Sequence, residues 1–191
     1  MSHAHPHETS NEVLAPGQRL QESERKAFSP EAVAEIQAIM AQYPDKMAAT
    51  LPALYIAQRE FGFVSLAAMR AVADVIGIPE AHVFGVATFY TMYQKAPVGK
   101  FHFQVCTNIS CALRGAAQLL EKVCERTGVT PGQGPSPDGM WSVEEVECLA
   151  GCGVAPCVQV NQDVYDELVD EDKLVEVMEA CKRGDYRPWA H

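Results

Sequence analysis

The sequence predicts an α+β chain in two parts: a small helical bundle, then an α/β domain. Three observations carry that prediction. Apolar residues recur at helical spacing from Ser29 to about residue 93. At Phe101 the pattern changes to alternation, with Phe101, Phe103 and Val105 separated by His102 and Gln104. Two cysteine pairs then follow, Cys106-Thr-Asn-Ile-Ser-Cys111 and Cys148-Leu-Ala-Gly-Cys152, spaced C-x4-C and C-x3-C.

Composition narrows the class. The chain has 191 residues, 48% hydrophobic and 21% charged, ordinary values for a globular protein of one or two domains. A formal charge of −10 argues against nucleic acid and against an anionic membrane surface as partners. No apolar run reaches the length of a membrane span, so direct membrane insertion is not expected. Residues 1–21 lack the apolar stretch of a secretory signal and are not Arg-rich. Seven cysteines without such a signal point to a reducing compartment, where clustered thiols hold metal more often than they form disulfides.

Residues 1–27 are polar, carry His3, His5 and His7, and read as a disordered or partner-ordered tail. The bundle spans 28–93. Ser29-Pro30-Glu31 opens its first helix, with a capping serine, proline in the first turn and an early acid. Val33, Ile36, Ile39 and Met40 continue it up to Pro44. A second helix runs from Met47 to about Glu60, with Leu51, Leu54 and Tyr55 on its apolar side. Pro52 places its true start near Thr50, and Gly62 stops it. The third starts at Ser65, follows Leu66, Met69, Val72, Ala73 and Ile76, and ends at Gly77. Pro79-Glu80 opens a fourth, through about Val86, and the apolar stretch from Ala87 to Tyr93 either extends it or crosses onward. His82, alone in apolar surroundings, reads as structural.

Gln94 to Gly99 is a linker, and residues 100–185 form the second domain. Its first strand, half-buried, ends at Cys106. Cys111 opens a helix with Leu113, Ala116, Ala117, Leu120 and Cys124 on one face, ended by Gly128. Pro131 to Gly139 is a loop, and Trp141, Val143 and Val146 mark a second strand leading to Cys148. Val158-Gln159-Val160, a turn at Asn161-Gln162-Asp163, and Val164-Tyr165 make a hairpin. A last helix, from about Asp170 to Lys182, aligns Leu174, Val177, Met178 and Cys181; residues 186–191 are a C-terminal tail. The order β-α-β, then β-β-α, is thioredoxin-like connectivity.

Four thiolates brought to one place can hold an iron–sulfur cluster or zinc. In an α/β sheet neighbouring strand ends lie side by side, so Cys106/Cys111 and Cys148/Cys152 can converge. Structural zinc favours C-x2-C knuckles, which are absent; the looser pairs suit the two irons of a [2Fe–2S] cluster. A zinc-stapled interaction module stays open, as does thiol–disulfide chemistry, although C-x-x-C is missing. Cys152 and Cys157 are also spaced C-x4-C, so spacing alone does not exclude Cys157 as a ligand; its place after Pro156 suits packing beneath the loop. Cys124 and Cys181 fall on apolar stripes and read as core. Glu144, Glu145 and Glu147 read as a solvated strand edge that would lower a cluster's potential if turned toward it.

With the bundle, Thr88-Phe89-Tyr90, Cys-Thr-Asn-Ile-Ser-Cys and Glu-Cys-Leu-Ala-Gly-Cys-Gly-Val-Ala-Pro-Cys, residues 28–185 resemble a known family. It is the small thioredoxin-like [2Fe–2S] subunit, the E-type chain, of the NADH-oxidising module of respiratory complex I (NADH–quinone oxidoreductase). The resemblance implies one [2Fe–2S] cluster, with Cys106 and Cys111 on one iron and Cys148 and Cys152 on the other. It implies that Cys157 lies near the cluster without binding it. It implies an electron-transfer subunit with no substrate-converting residues, served by a flavoprotein subunit that holds FMN and NADH and by a large multi-cluster iron–sulfur subunit. The implied location is cytoplasmic, peripheral on the inner face of a bacterial membrane through the complex. Similar modules serve NAD-linked formate dehydrogenases and NAD-reducing hydrogenases. The sequence offers no Gly-rich dinucleotide fingerprint, in keeping with NADH on the partner.

Overall fold

The computed structural model describes residues 26–161, 163–165 and 171–184. The histidine-bearing tail up to residue 25, Gln162, Asp170 and residues 186–191 lie outside the described residues. Contacts divide the chain into two compact units, Met1–Pro97 and Val98–His191.

In the first unit, helix α1 (Pro30–Met40) starts where the sequence marks it: Ser29 Oγ accepts the Ala32 amide, and proline occupies the first turn. Helix α2 (Thr50–Phe61) follows a 3-10 turn, Lys46–Ala49, which Asp45 caps. Helix α3 (Leu66–Ile76) is capped by Ser65 and stopped by Gly77, whose φ of 70° is left-handed. Helix α4 (Glu80–Phe89) continues one turn beyond Val86, taking up part of the apolar stretch. Ile36, Leu54, Val64, Val72, Val83 and Tyr93 are fully buried in one core. Val83 and Ala87 are the buried residues of α4, and Gly85 and Phe89 on the same helix are exposed. His82 is half-buried beside them.

Tyr93 closes this core. Its hydroxyl donates to the Leu51 carbonyl at 2.9 Å, and burial holds its phenol well above the ordinary range. Gln94 is tied to the bundle too: its carbonyl accepts the Val64 amide at 2.7 Å, and its amide donates to Gln58 Oε1 at 2.6 Å. Replacing Tyr93 with phenylalanine keeps the packing and removes the hydroxyl's hydrogen bond to the Leu51 carbonyl. We expect a loss of about 1–2 kcal/mol, read as a lower denaturant midpoint with unchanged m-value. An unchanged midpoint would show that water replaces the hydroxyl.

The second unit is a four-stranded mixed sheet in the order β2-β1-β3-β4. Strand β1 (Phe101–Cys106) pairs in parallel with β2 (Trp141–Val146), with Phe101 opposite Trp141 and Cys106 opposite Val146. It pairs antiparallel with β3 (Val158–Val160), which forms the hairpin with β4 (Asp163–Tyr165). Helices α5 (Ile109–Leu113), α6 (Ala116–Thr127) and α7 (Glu171–Arg183) complete the unit. Helix α6 packs on β1 and β2, and α7 packs on α6. Phe101, Phe103, Val105, Trp141, Val143 and Val158 form the core with Leu119, Val123, Leu174 and Met178. This is the thioredoxin-like arrangement that the element order predicts.

Two expectations need correction. Strand β1 is buried on both faces, not half-buried. Its polar face is covered because its neighbours supply matched partners. The His102 ring nitrogens lie 2.8 Å from Ser142 Oγ and 3.1 Å from Glu144 Oε2. Gln104 Nε2 donates to the same Glu144 oxygen, and Gln159 Nε2 donates to Gln104 Oε1. A buried polar row survives only when its groups are paired, and these are. The helix expected from Cys111 to Gly128 is two helices. Gly115, at φ 90°, breaks the chain between α5 and α6. The buried stripe of α6 is therefore Ala116, Leu119, Val123 and Thr127, and Leu113 and Ala117 face water.

Candidate metal centre

The parallel pairing of β1 and β2 sets their carboxyl ends side by side. Cys106 is the last residue of β1, and the Thr107 amide carries the ladder one step further by donating to the Val146 carbonyl at 3.2 Å. Asn108 then turns the chain, its side chain accepting the Ile109 amide to cap α5. Cys111 sits within this short helix, buried like Cys106.

The loop after β2 brings the second pair. Ala150 takes a left-handed φ of 64°, and its amide donates to Cys148 Sγ at 3.3 Å. Cys152 opens a 3-10 turn, Cys152–Val154, and its sulfur lies 3.5 Å from Cys148 Sγ. Both thiols are exposed. Two side-chain bonds fasten this segment to the first cysteine turn: Thr107 Oγ1 donates to Glu145 at 2.7 Å and Asn108 Nδ2 donates to Glu147 at 2.7 Å. Glu144, by contrast, accepts from Gln104 and faces His102. Glu145 and Glu147 are exposed and Glu144 is half-buried, in keeping with a solvated edge, and each also cross-links neighbouring strands or loops.

Electrostatics shows which thiols are neighbours. Burial pushes the Cys111 thiol up to about 11; the Cys157 amide works against this and the neighbouring Cys106 thiol adds to it. The Cys152 thiol is held above its ordinary value, first by its hydrogen bond with Cys148, and it also feels Cys106. Adjacent thiols resist becoming adjacent thiolates. A bound cation removes that penalty, because metal ligation requires the deprotonated form. Among the described residues no three His, Cys, Asp or Glu side chains form a group able to hold a metal ion. The sulfurs gather as pairs, Cys106 with Cys111 and Cys148 with Cys152. Pairs suit a binuclear iron–sulfide group, in which each iron takes two protein thiolates and two sulfides. The Ala150 amide on Cys148 is the kind of sulfur-directed donor such a group uses.

Cys106, Cys111 and Cys157 share one buried cluster with Ala116 and Ala155, and Leu149 packs on it. Cys181 lies in the main core of the sheet, with Cys124 packed beside it. Burial raises both thiols, that of Cys181 to about 11. Neither joins the four. Sequence reasoning did not single out Thr107 and Asn108, whose roles depend on partners brought by folding.

The sheet and its cysteine pairs define a thioredoxin-like domain with thiol pairs where a redox dithiol would otherwise stand. The chain belongs to the thioredoxin-like [2Fe–2S] ferredoxin family, whose model matches residues 36–182. It is 39% identical over 151 residues to an E-type NADH-quinone oxidoreductase subunit of Rhizobium meliloti (strain 1021), covering 78% of this chain and 89% of that protein. It is 38% identical over 151 residues to NADH-quinone oxidoreductase subunit 2 of Thermus thermophilus, covering 78% and 83%. Among solved structures, an NAD+-reducing [NiFe]-hydrogenase in the air-oxidised state matches with a TM-score of 0.56 at 20% identity. That match covers 69% of this chain and 23% of the hydrogenase chain, and it speaks to the fold alone.

Proposed function

We propose that the protein is the [2Fe–2S] electron-transfer subunit of the NADH-oxidising module of an NADH:quinone oxidoreductase, respiratory complex I. Cys106, Cys111, Cys148 and Cys152 are its ligand set. The observation that carries this reading is the pairing of the thiols at the adjoining ends of two parallel strands, in a chain 38–39% identical to such subunits. When bound, the cluster supplies one-electron transfer, for which a plant-type all-thiolate centre sits at roughly −400 mV. The chain's own residues do the rest. Cys106 and Cys111 keep one side of the site dry, and exposed Cys148 and Cys152 leave the other open to a donor. FMN and NADH reside on a flavoprotein partner, and a large multi-cluster subunit takes the electrons onward. Through that assembly the protein works at the cytoplasmic face of the membrane. Among the described residues no helix is long and apolar enough to cross one.

The test is an anaerobic absorbance and EPR spectrum of the purified chain before and after dithionite. Visible bands that bleach, with a paramagnetic signal appearing on reduction, are expected. A colourless, EPR-silent chain containing zinc would overturn the reading, since zinc has no redox chemistry.

A further inference from the structure

Cys157 is buried beside Cys106 and Cys111, yet the four-thiol ligand set leaves it out. Three of its groups are engaged. Its carbonyl accepts the Cys106 amide at 3.1 Å. Its amide donates to the Cys111 sulfur. Its thiol donates to the Gly151 carbonyl at 3.0 Å. Gly151 lies between Cys148 and Cys152, directly before the latter. The backbone of Cys157 thus reaches the first thiol pair, and its side chain reaches the loop that carries the second.

The packing shows how close that second contact is. A Cβ placed on Gly151 would stand 2.4 Å from Cys157 Sγ. Real Cβ contacts of that length essentially never occur, so the loop can lie on this sulfur only because residue 151 is glycine. A cysteine side chain has one rotatable bond to its sulfur, and Cys157 is 1% exposed, so the sulfur has little room to turn aside.

We propose that Cys157 is a positioning residue that sets the spacing between the two thiol pairs, its backbone holding Cys106 and Cys111 and its thiol holding the Cys148–Cys152 loop against them. This rests on the reading of those four cysteines as the ligands of a [2Fe–2S] cluster.

The test uses the full chain loaded with its cluster, with Cys157→Ala, Cys157→Ser and Gly151→Ala variants. The readout is the rate at which an iron chelator removes the cluster, with the visible spectrum and the melting temperature of the metal-free chain alongside. Cys157→Ala should hold a cluster with unchanged visible bands and release it about tenfold faster, equivalent to about 1.4 kcal/mol if it reports retention. Cys157→Ser should recover most of the retention, because its hydroxyl can donate to the same carbonyl, while the metal-free melting temperature stays that of the parent. Gly151→Ala, which pushes the loop off from the other side, should also release faster. Its effect should shrink when Cys157 is already alanine, since the clash partner is gone.

Release from Cys157→Ala at the parent rate would overturn the proposal. A folded Cys157→Ala chain that binds no iron would overturn it too, by making Cys157 a ligand. Strict additivity of Gly151→Ala and Cys157→Ala would overturn the contact between them, and it stays decisive if either single variant is poorly stable. A parent chain that holds no [2Fe–2S] cluster would sink the underlying reading instead, which separates the two failures.

Discussion

Cys106→Ala is expected to yield a folded, colourless chain with no bound iron or acid-labile sulfide. Alanine offers no lone pair, and the site it leaves is buried, so water does not readily take the missing coordination position. Cys152→Ser should also lose the cluster, since a serine hydroxyl is far less acidic than a thiol. Cys124→Ala is the control. It trims a half-buried side chain packed against the main core and should keep full iron content, at a stability cost of about 1 kcal/mol. Iron and sulfide per chain, with the visible spectrum, decide the matter. Full occupancy in Cys106→Ala would remove that residue from the ligand set, and an iron-free Cys124→Ala would remove Cys124 from the core.

The second large effect falls away from the thiols. Gly99→Ala should destabilise the second unit by about 3 kcal/mol, the upper end of overpacking costs. A Cβ on Gly99 would lie 2.4 Å from the Trp141 carbonyl carbon and 2.8 Å from the Ser142 nitrogen. Those are backbone atoms of a paired strand, and they cannot swing aside as a side-chain tip can. The Gly99 amide also donates to Ser142 Oγ at 2.9 Å, so relief by moving the chain costs that bond as well. Thermal or denaturant unfolding of the metal-free chain measures the loss. A transition within about 0.5 kcal/mol of the parent, the size of an ordinary surface change, would show that the β1 entry is slack.

Much of this architecture is legible in the residues because local signals agree with the fold. Ser29 and Ser65 mark helix starts, Gly77 marks a stop, and both cap bonds are present. The cysteine pairs are likewise local, so their place after strand ends can be read from spacing and pattern. What escaped depends on partners far away in sequence. Alternation in β1 makes His102 and Gln104 look solvent-facing; only pairing with β2 and β3 brings Ser142, Glu144 and Gln159 to cover them. The stripe through Leu113 and Leu120 assumed one continuous helix, whereas Gly115 rotates everything after it onto a different face. The work of Glu145 and Glu147 is invisible for the same reason, since Thr107 and Asn108 lie thirty-eight and thirty-nine residues away.

The polar row under β1 bears on how the strand register is specified. His102 and Gln104 have partners only in the observed alignment with β2 and β3. A slip of one residue would turn Phe103 and Val105 onto that row and leave the polar groups stranded. The row therefore works as a ruler. It fixes how far β1 runs before it ends, and so where Cys106 stands, by side-chain matching that no metal takes part in. The alignment that sets the two strand ends beside each other is thus specified by side chains outside the thiol pairs.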